Sequence, residues 1–401
     1  MKKKIIFIIL VTFLLITLIC LVYLIFFRIR IDNSKIKYKD NLDVLVYSKV
    51  SISDLIENID GRVINDFYVG TDSLGEREIK FLYEDKKGRK NYGTVSINII
   101  DTEEPIIYVN NTYTINVNSD KKLEDIIMSV DNYDNNPKRE IIGNYDINKE
   151  GSYNLEYKVT DNSGNIASKK FTLKVVDPDK NKKPNTSKKD SYISFNDAIN
   201  NYKTKDTMIG IDVSKWQGEI NYSKVKDAKA EFVMIKVGGQ DTKGGDSILD
   251  PTFENNIEGF SSLGFKIGIY YYSHASNIKE AKEQAKWVIS KVSKYNIDLP
   301  IVFDWENWSN FNTYNVSLHK LNAISDTFIS EIENYGYKGM LYGSKYYLEN
   351  IWNVDNKNIW LANYATKTEY DKEYMMWQMC SDGKIDGIDS YVDIDILYKN
   401  K

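Results

Sequence analysis

The sequence predicts a multidomain chain: an N-terminal transmembrane helix, two small all-β sandwiches in tandem, and a C-terminal α/β barrel. Three observations carry this. The run Ile5–Phe27, IIFIILVTFLLITLICLVYLIFF, holds no charge, glycine or proline. Gly75, Asp85, Gly88 and Asp101 recur at one constant offset as Gly151, Asp161, Gly164 and Asp177. From about Asp206 onward, short apolar runs alternate with stretches of helical period. A chain of 401 residues with 42% hydrophobic composition has room for several packed cores.

The apolar run is long enough to cross a bilayer, which takes about 20 residues in a helix. A cleaved signal would have a shorter apolar core and a small-x-small site, and Ile19 before Cys20 is not the small residue that lipoprotein processing needs. Residues 1–30 therefore read as a short tail and an uncleaved anchor, with residues 5–27 in the lipid. Charge does not orient it, because Lys2–Lys4 precede the span while Arg28, Arg30, Lys35, Lys37 and Lys39 follow it. Net charge is −4 and the basic residues are dispersed, so a nucleic-acid partner is not expected. Two cysteines, Cys20 and Cys380, form neither a disulfide framework nor a zinc spacing.

Residues 36–102 and 103–178 read as the two sandwiches. In each, an alternating strand enters an Asp-x-x-Gly turn and a second alternating strand leaves it, which is a hairpin signature. Asp161-Asn-Ser-Gly-Asn165 and Asp131-Asn-Tyr-Asp134 are open to two readings, calcium ligands or turn chemistry; turn chemistry accounts for them more simply. The repeats resemble bacterial immunoglobulin-like domains of cell-surface proteins, through Tyr157-x-Val159-x-Asp161-x-x-Gly164-Asn165 and a strand closing in Val175-x-Asp177. That resemblance implies a spacer. The tract Pro178 to Ser191, PDKNKKPNTSKKDS, is polar and lysine-rich, and residues 179–205 read as a solvated linker.

In residues 206–401 the strand-like runs are MIGIDVS, FVMIKVGG, FKIGIYYYSHA, LPIVFDWE, KGMLYGS and NIWLANY. Helices are expected at about 278–295 and 317–335. Parallel strands buried on both faces gather functional side chains at their C-terminal ends. Acids stand there: Asp212 in MIGID, Asp304 and Glu306 in PIVFDWE, and Asp393 in SYVD. Residues i and i+2 of a strand share a face, so Asp304 and Glu306 point together and Trp305 points away. Two carboxyls that close raise the apparent pKa of one of them, leaving a proton to give and a charge to keep. Glycosidic cleavage needs both. A lone acid here would more often cap a strand or pair with a cation; four at the ends of separate apolar runs favour a site.

These runs, in order, resemble the glycoside hydrolase family 25 lysozymes, the Chalaropsis-type muramidases. The resemblance spans about residue 206 to the end and rests on IDVSKWQGEIN, FVMIKVG, DPTFENNIEG, GIYYYSHA, PIVFDWE, IWLANY and MWQMCSDGKIDGIDSYVDID. It implies a modified TIM-like barrel and hydrolysis of the β-1,4 bond between N-acetylmuramic acid and N-acetylglucosamine. Glu306 is then the counterpart of the proton donor, Asp304 of its partner, and Asp212 and Asp393 of the remaining acids. Tyr270, Tyr342, Trp360, Trp377, Gln378 and Lys236 look like the sugar-contacting set, although buried aromatics of a barrel need no ligand. The motif leaves open a covalent or a substrate-assisted route. The chain departs from the family at Gly238-Gly239-Gln240, where many members carry an acid, and at Val392-Asp393-Ile394-Asp395, where many read Val-Asp-x-Asn. No metal or cofactor is expected, and neither His274 nor His319 suggests one.

The expected protein is thus a membrane-anchored peptidoglycan hydrolase with its C-terminal domain outside the cell, acting on glycan strands. The alternative is a wall-binding or scaffold protein that keeps the barrel without turnover.

Overall fold

The structure, a computed structural model, describes residues 10–23, 35–178, 193–306 and 314–399. The chain divides into two compact units, Met1–Thr102 and Glu103–Lys401. Residues 10–23 are helical and exposed. No helix among the described residues is long and apolar enough to cross a membrane; residues 5–9 and 24–27 of the expected span lie outside the described ones.

The predicted repeat is visible in the topology. In the first unit a four-stranded sheet runs Asp43–Leu45, Lys90–Ile100, Gly75–Asp85, Gly61–Val63, beside a two-stranded sheet of Ile36–Tyr38 and Ile56–Ile59. The second unit begins with the same plan: Thr112–Asn116, Ile166–Val176, Gly151–Thr160, Lys138–Ile142, with Ile106–Tyr108 paired to Met128–Val130. Each long hairpin turns at the expected Asp-x-x-Gly, with Gly88 N–H donating to Asp85 O and Gly164 N–H to Asp161 O. The aspartate side chains secure these turns. Asp161 accepts from Asn165 N–H at 2.7 Å, and Asp85 accepts from Lys87 N–H, Arg89 N–H and Arg89 Nε. Burial opposes ionisation of Asp85, but those bonds outweigh it and hold its pKa at about 2. Its contribution to stability is therefore present above the ordinary carboxylate range and lost as pH falls towards 2.

The β region of the second unit is more than a spacer, because it packs on the barrel. Tyr108 and Val130 are buried in the same core as the barrel helices. Tyr108 Oη donates to Asn350 O at 3.1 Å, and its ring meets Tyr346 edge-on at 5.2 Å. Asp131 O and Asn135 Oδ1 accept from Leu318 N–H and Ser317 N–H. Those are first-turn donors that the helix Leu318–Asn334 cannot satisfy itself.

Eight strands close the barrel: Thr207–Val213, Phe232–Gly239, Lys266–Tyr272, Ile301–Asp304, Gly339–Ser344, Ile359–Ala362, Met376–Gly383 and Val392–Tyr398. Seven are parallel. The last runs antiparallel to both its neighbours, the first and the seventh. Outward residues such as Ile211, Val233 and Ile235 pack under the helices, while Phe232, Met234, Val302, Met340, Met376 and Leu397 fill the interior. Two inward positions are glycine of necessity: a Cβ at Gly210 would strike Phe232, and one at Gly268 would strike Met234. The expected helices form at Ile278–Val292 and Leu318–Asn334.

The expected linker 179–205 needs correction at its C-terminal end. Residues 179–192 lie outside the described ones, but Phe195–Tyr202 is a helix capped by Ser194. Phe195 and Ala198 are buried in the barrel's outer core. Their i, i+3 spacing puts both on one face of the helix, and burying that face fixes the helix to the barrel.

Candidate active site

The strand ends converge on one cleft of about 710 Å³ in the barrel mouth. It is lined by all four predicted acids, Asp212, Asp304, Glu306 and Asp393, and by Lys236, Tyr270, Tyr342, Trp360 and Gln378. Reversal of the last strand explains Asp393. It starts that strand rather than ending one, and the antiparallel register sets it opposite Asp212 at the end of the first.

Asp304 ends its strand in the buried interior, and Glu306 stands just above it, open to solvent within the cleft walls. Their carboxyls are in hydrogen-bonding contact, which requires a proton between them. Asp304 Oδ1 is buried, and no donor group among the described residues reaches it. Burial, then the charge of Glu306, pushes the Asp304 carboxyl well up; burial also raises Glu306, and the Lys236 ammonium moderates both. Lys236 lies 4.7 Å from the Tyr272 ring centre, which holds its cation against the cleft wall. Trp305 points the other way, fully buried against Tyr314 and Trp352 at 5.4 and 6.1 Å. It anchors the strand end that carries the pair.

Across the cleft, Gln378 is held by both ends of its amide. Its Oε1 accepts from Tyr342 and Tyr364, and its Nε2 donates to Asp212 Oδ2 at 2.8 Å. Asp393 is half-buried, and burial is the first cause that lifts its pKa to about 6. Trp360 and Tyr270 meet edge-on at 5.9 Å and form an aromatic wall.

Trp377 is the predicted site residue that does not join. It neighbours Gln378 in a strand, so it faces the opposite side, packing on Tyr202 and donating Nε1–H to Asn363 O. Several cleft residues were not among the predicted site residues: Tyr272, Tyr364, the exposed Trp216 and Gln240; His274, which follows a strand and could approach the cleft, does line it. Asp395 was noted only as a departure from the family pattern. It lies fully buried two residues below Asp393, donated to by Trp360 Nε1 at 2.9 Å. Strand parity is the signal that could have found Tyr272 and Asp395, which lie two residues from Tyr270 and Asp393.

A closed barrel whose mouth gathers buried carboxyls, lysine ammoniums and aromatic walls has the groups that a carboxylate-dependent glycoside hydrolase needs. The comparisons with known proteins agree on the domain. Residues 211–388 match the model of "Glycosyl hydrolases family 25". The chain is 26% identical to the autolytic lysozyme of Clostridium acetobutylicum over 191 residues, 47% of this chain and 55% of that protein. It is 35% identical to lysozyme M1 of Streptomyces globisporus over 101 residues, 24% of this chain and 32% of the relative. It thus spans about half the length of the first of these relatives. Among solved structures, a family 25 glycosyl hydrolase from Bacillus anthracis aligns with a TM-score of 0.41 and 24% identity, covering 48% of this chain and 90% of that one.

Proposed function

We propose that the protein is a membrane-anchored muramidase that hydrolyses the β-1,4 bond between N-acetylmuramic acid and N-acetylglucosamine in peptidoglycan. The observation that carries this is the juxtaposition of the Asp304 and Glu306 carboxyls at the mouth of a sugar-sized cleft, where the crowded pair keeps one proton between them. Glu306 is the solvent-facing member, so it hands the proton to the glycosidic oxygen. The pair is then doubly ionised, and Lys236 offsets the added charge. Asp212 and Asp393 supply negative charge for the oxocarbenium-like sugar, and the aromatic wall and Gln378 position the rings. The test is release of reducing ends from purified peptidoglycan by the full chain. Release that Glu306→Gln does not reduce would mean that the acid is misassigned; no release by the wild-type chain would favour a wall-binding scaffold.

The anchor is part of this proposal. The uncharged run Ile5–Phe27 supports a single span with the N-terminus cytoplasmic, because the substrate lies outside the cell. The two β regions, read as immunoglobulin-like, then stand between membrane and barrel, and cleavage is confined to nearby wall. Protease treatment of intact cells is expected to remove the C-terminal domain; its survival under conditions that strip other surface proteins would overturn this topology.

A further inference from the structure

The active-site proposal uses four acids, and another lies fully buried on the inward face beneath them. Asp395 is fully buried on the last strand, with Oδ1 accepting from Trp360 Nε1. Its Oδ2 is buried too, and no N–H or hydroxyl donor among the described residues reaches it. What lies beside it is another carboxyl: the strand register sets Asp395 opposite Gly210, which has no side chain, and so next to Asp212 on the same inward face, where the two side chains interact as hydrogen-bond partners. Two ionised carboxylates cannot make that contact, because each is acceptor-only.

The surroundings make the requirement stricter. Asp393 faces both groups from the same end of the barrel, and the seventh strand brings the buried Cys380 thiol near Asp395. Tyr270 lies beside Asp212 from the third strand, and Lys236 acts on Asp304 and Glu306. The remaining polar partners of the pair, Gln378 Nε2 and Trp360 Nε1, are one neutral donor for each carboxyl. Among the described residues no cation acts on either carboxyl, so a second full negative charge would be uncompensated by them.

We propose that Asp395 is a positioning residue: its carboxyl shares one proton with Asp212, so the pair carries one negative charge and Asp212 is held facing the cleft. The barrel mouth then holds two proton-sharing pairs, Asp304–Glu306 for delivery and Asp212–Asp395, with Asp395 buried beneath the cleft, for charge. The catalytic part of this role rests on the muramidase reading; the shared proton does not.

The sign of the pH dependence follows. Burial, then neighbouring acids, raises both carboxyls above their ordinary range. Protonated stabilisation is therefore full at acid pH and lost as pH rises through the folded-state values. Asp395→Asn replaces the proton by a permanent amide donor to Asp212 and keeps an acceptor for Trp360. In the full chain this variant is expected to keep neutral-pH activity within about threefold, and to show a shallower loss of thermal stability with rising pH. Asp395→Ala removes both contacts and is expected to lose about tenfold or more, as uncompensated buried polar groups do.

The deciding measurement is infrared titration of the buried carboxylic-acid band, which needs no substrate. The expected result is a band at neutral pH that weakens in Asp395→Asn and, separately, in Asp212→Asn, so that misfolding of one variant leaves the other as a test. An unchanged band in the folded variants would overturn the proposal. So would an alkaline stability profile of Asp395→Asn identical to that of the wild type. If the wild-type chain releases no reducing ends but the band weakens as expected, the muramidase reading fails and the proton pair stands.

Discussion

Glu306→Gln is expected to slow reducing-end release by about 10²–10⁴-fold, the range that a positioned general acid contributes. The amide has nearly the shape of the acid and can still touch Asp304, so KM should change little while kcat falls. The pH profile sharpens the test. Burial raises Glu306, so the wild-type rate should persist above the ordinary carboxylate range and decline as the Asp304–Glu306 pair loses its shared proton. In Glu306→Gln that alkaline limb should disappear. A variant that keeps both the rate and the limb would place the donor elsewhere in the cleft.

Trp305→Ala is expected to lower stability by about 3–5 kcal/mol, the usual cost of truncating a fully buried large aromatic. Trp305 is only 1% exposed, wedged between Tyr314 and Trp352 on the outer side of the barrel. Its removal opens a cavity directly behind the strand end that sets Asp304 and Glu306. Activity should therefore fall even below the unfolding transition, because small misplacements of reacting groups are costly. Denaturant unfolding and kcat measured on the same preparation check both effects. A Trp305→Phe variant should recover most of the stability. Full stability in the alanine variant would show that the wall does not hold the pair.

The residues that were legible in the sequence are those governed by strand parity. Asp304 and Glu306 were placed together by i, i+2 spacing, and the hairpins at Asp85–Gly88 and Asp161–Gly164 by turn chemistry. Parity also held the answer for Trp377, which cannot share the face of Gln378, and for Asp395, which must share that of Asp393. Both were passed over because a motif was read as a block instead of residue by residue. The helix at 195–202 was hidden by the lysine-rich tract before it, although Phe195, Ala198, Ile199 and Tyr202 follow a helical period. Docking of Tyr108 and Val130 on the barrel was not legible at all. Nothing local distinguishes an apolar residue that fills its own sandwich from one that fills a neighbour.

That docking bears on how the enzyme can be dissected. A fragment cut at residue 193 would carry the fold of the barrel but bare the seat of Tyr108 against Tyr346 and Asn350, and strip Leu318 of its partner carbonyl. Such a fragment should self-associate as its concentration rises, with a seam of newly wetted apolar surface as the glue. A cut before residue 103 keeps the seam closed and should stay monomeric, which sedimentation of the two fragments would reveal.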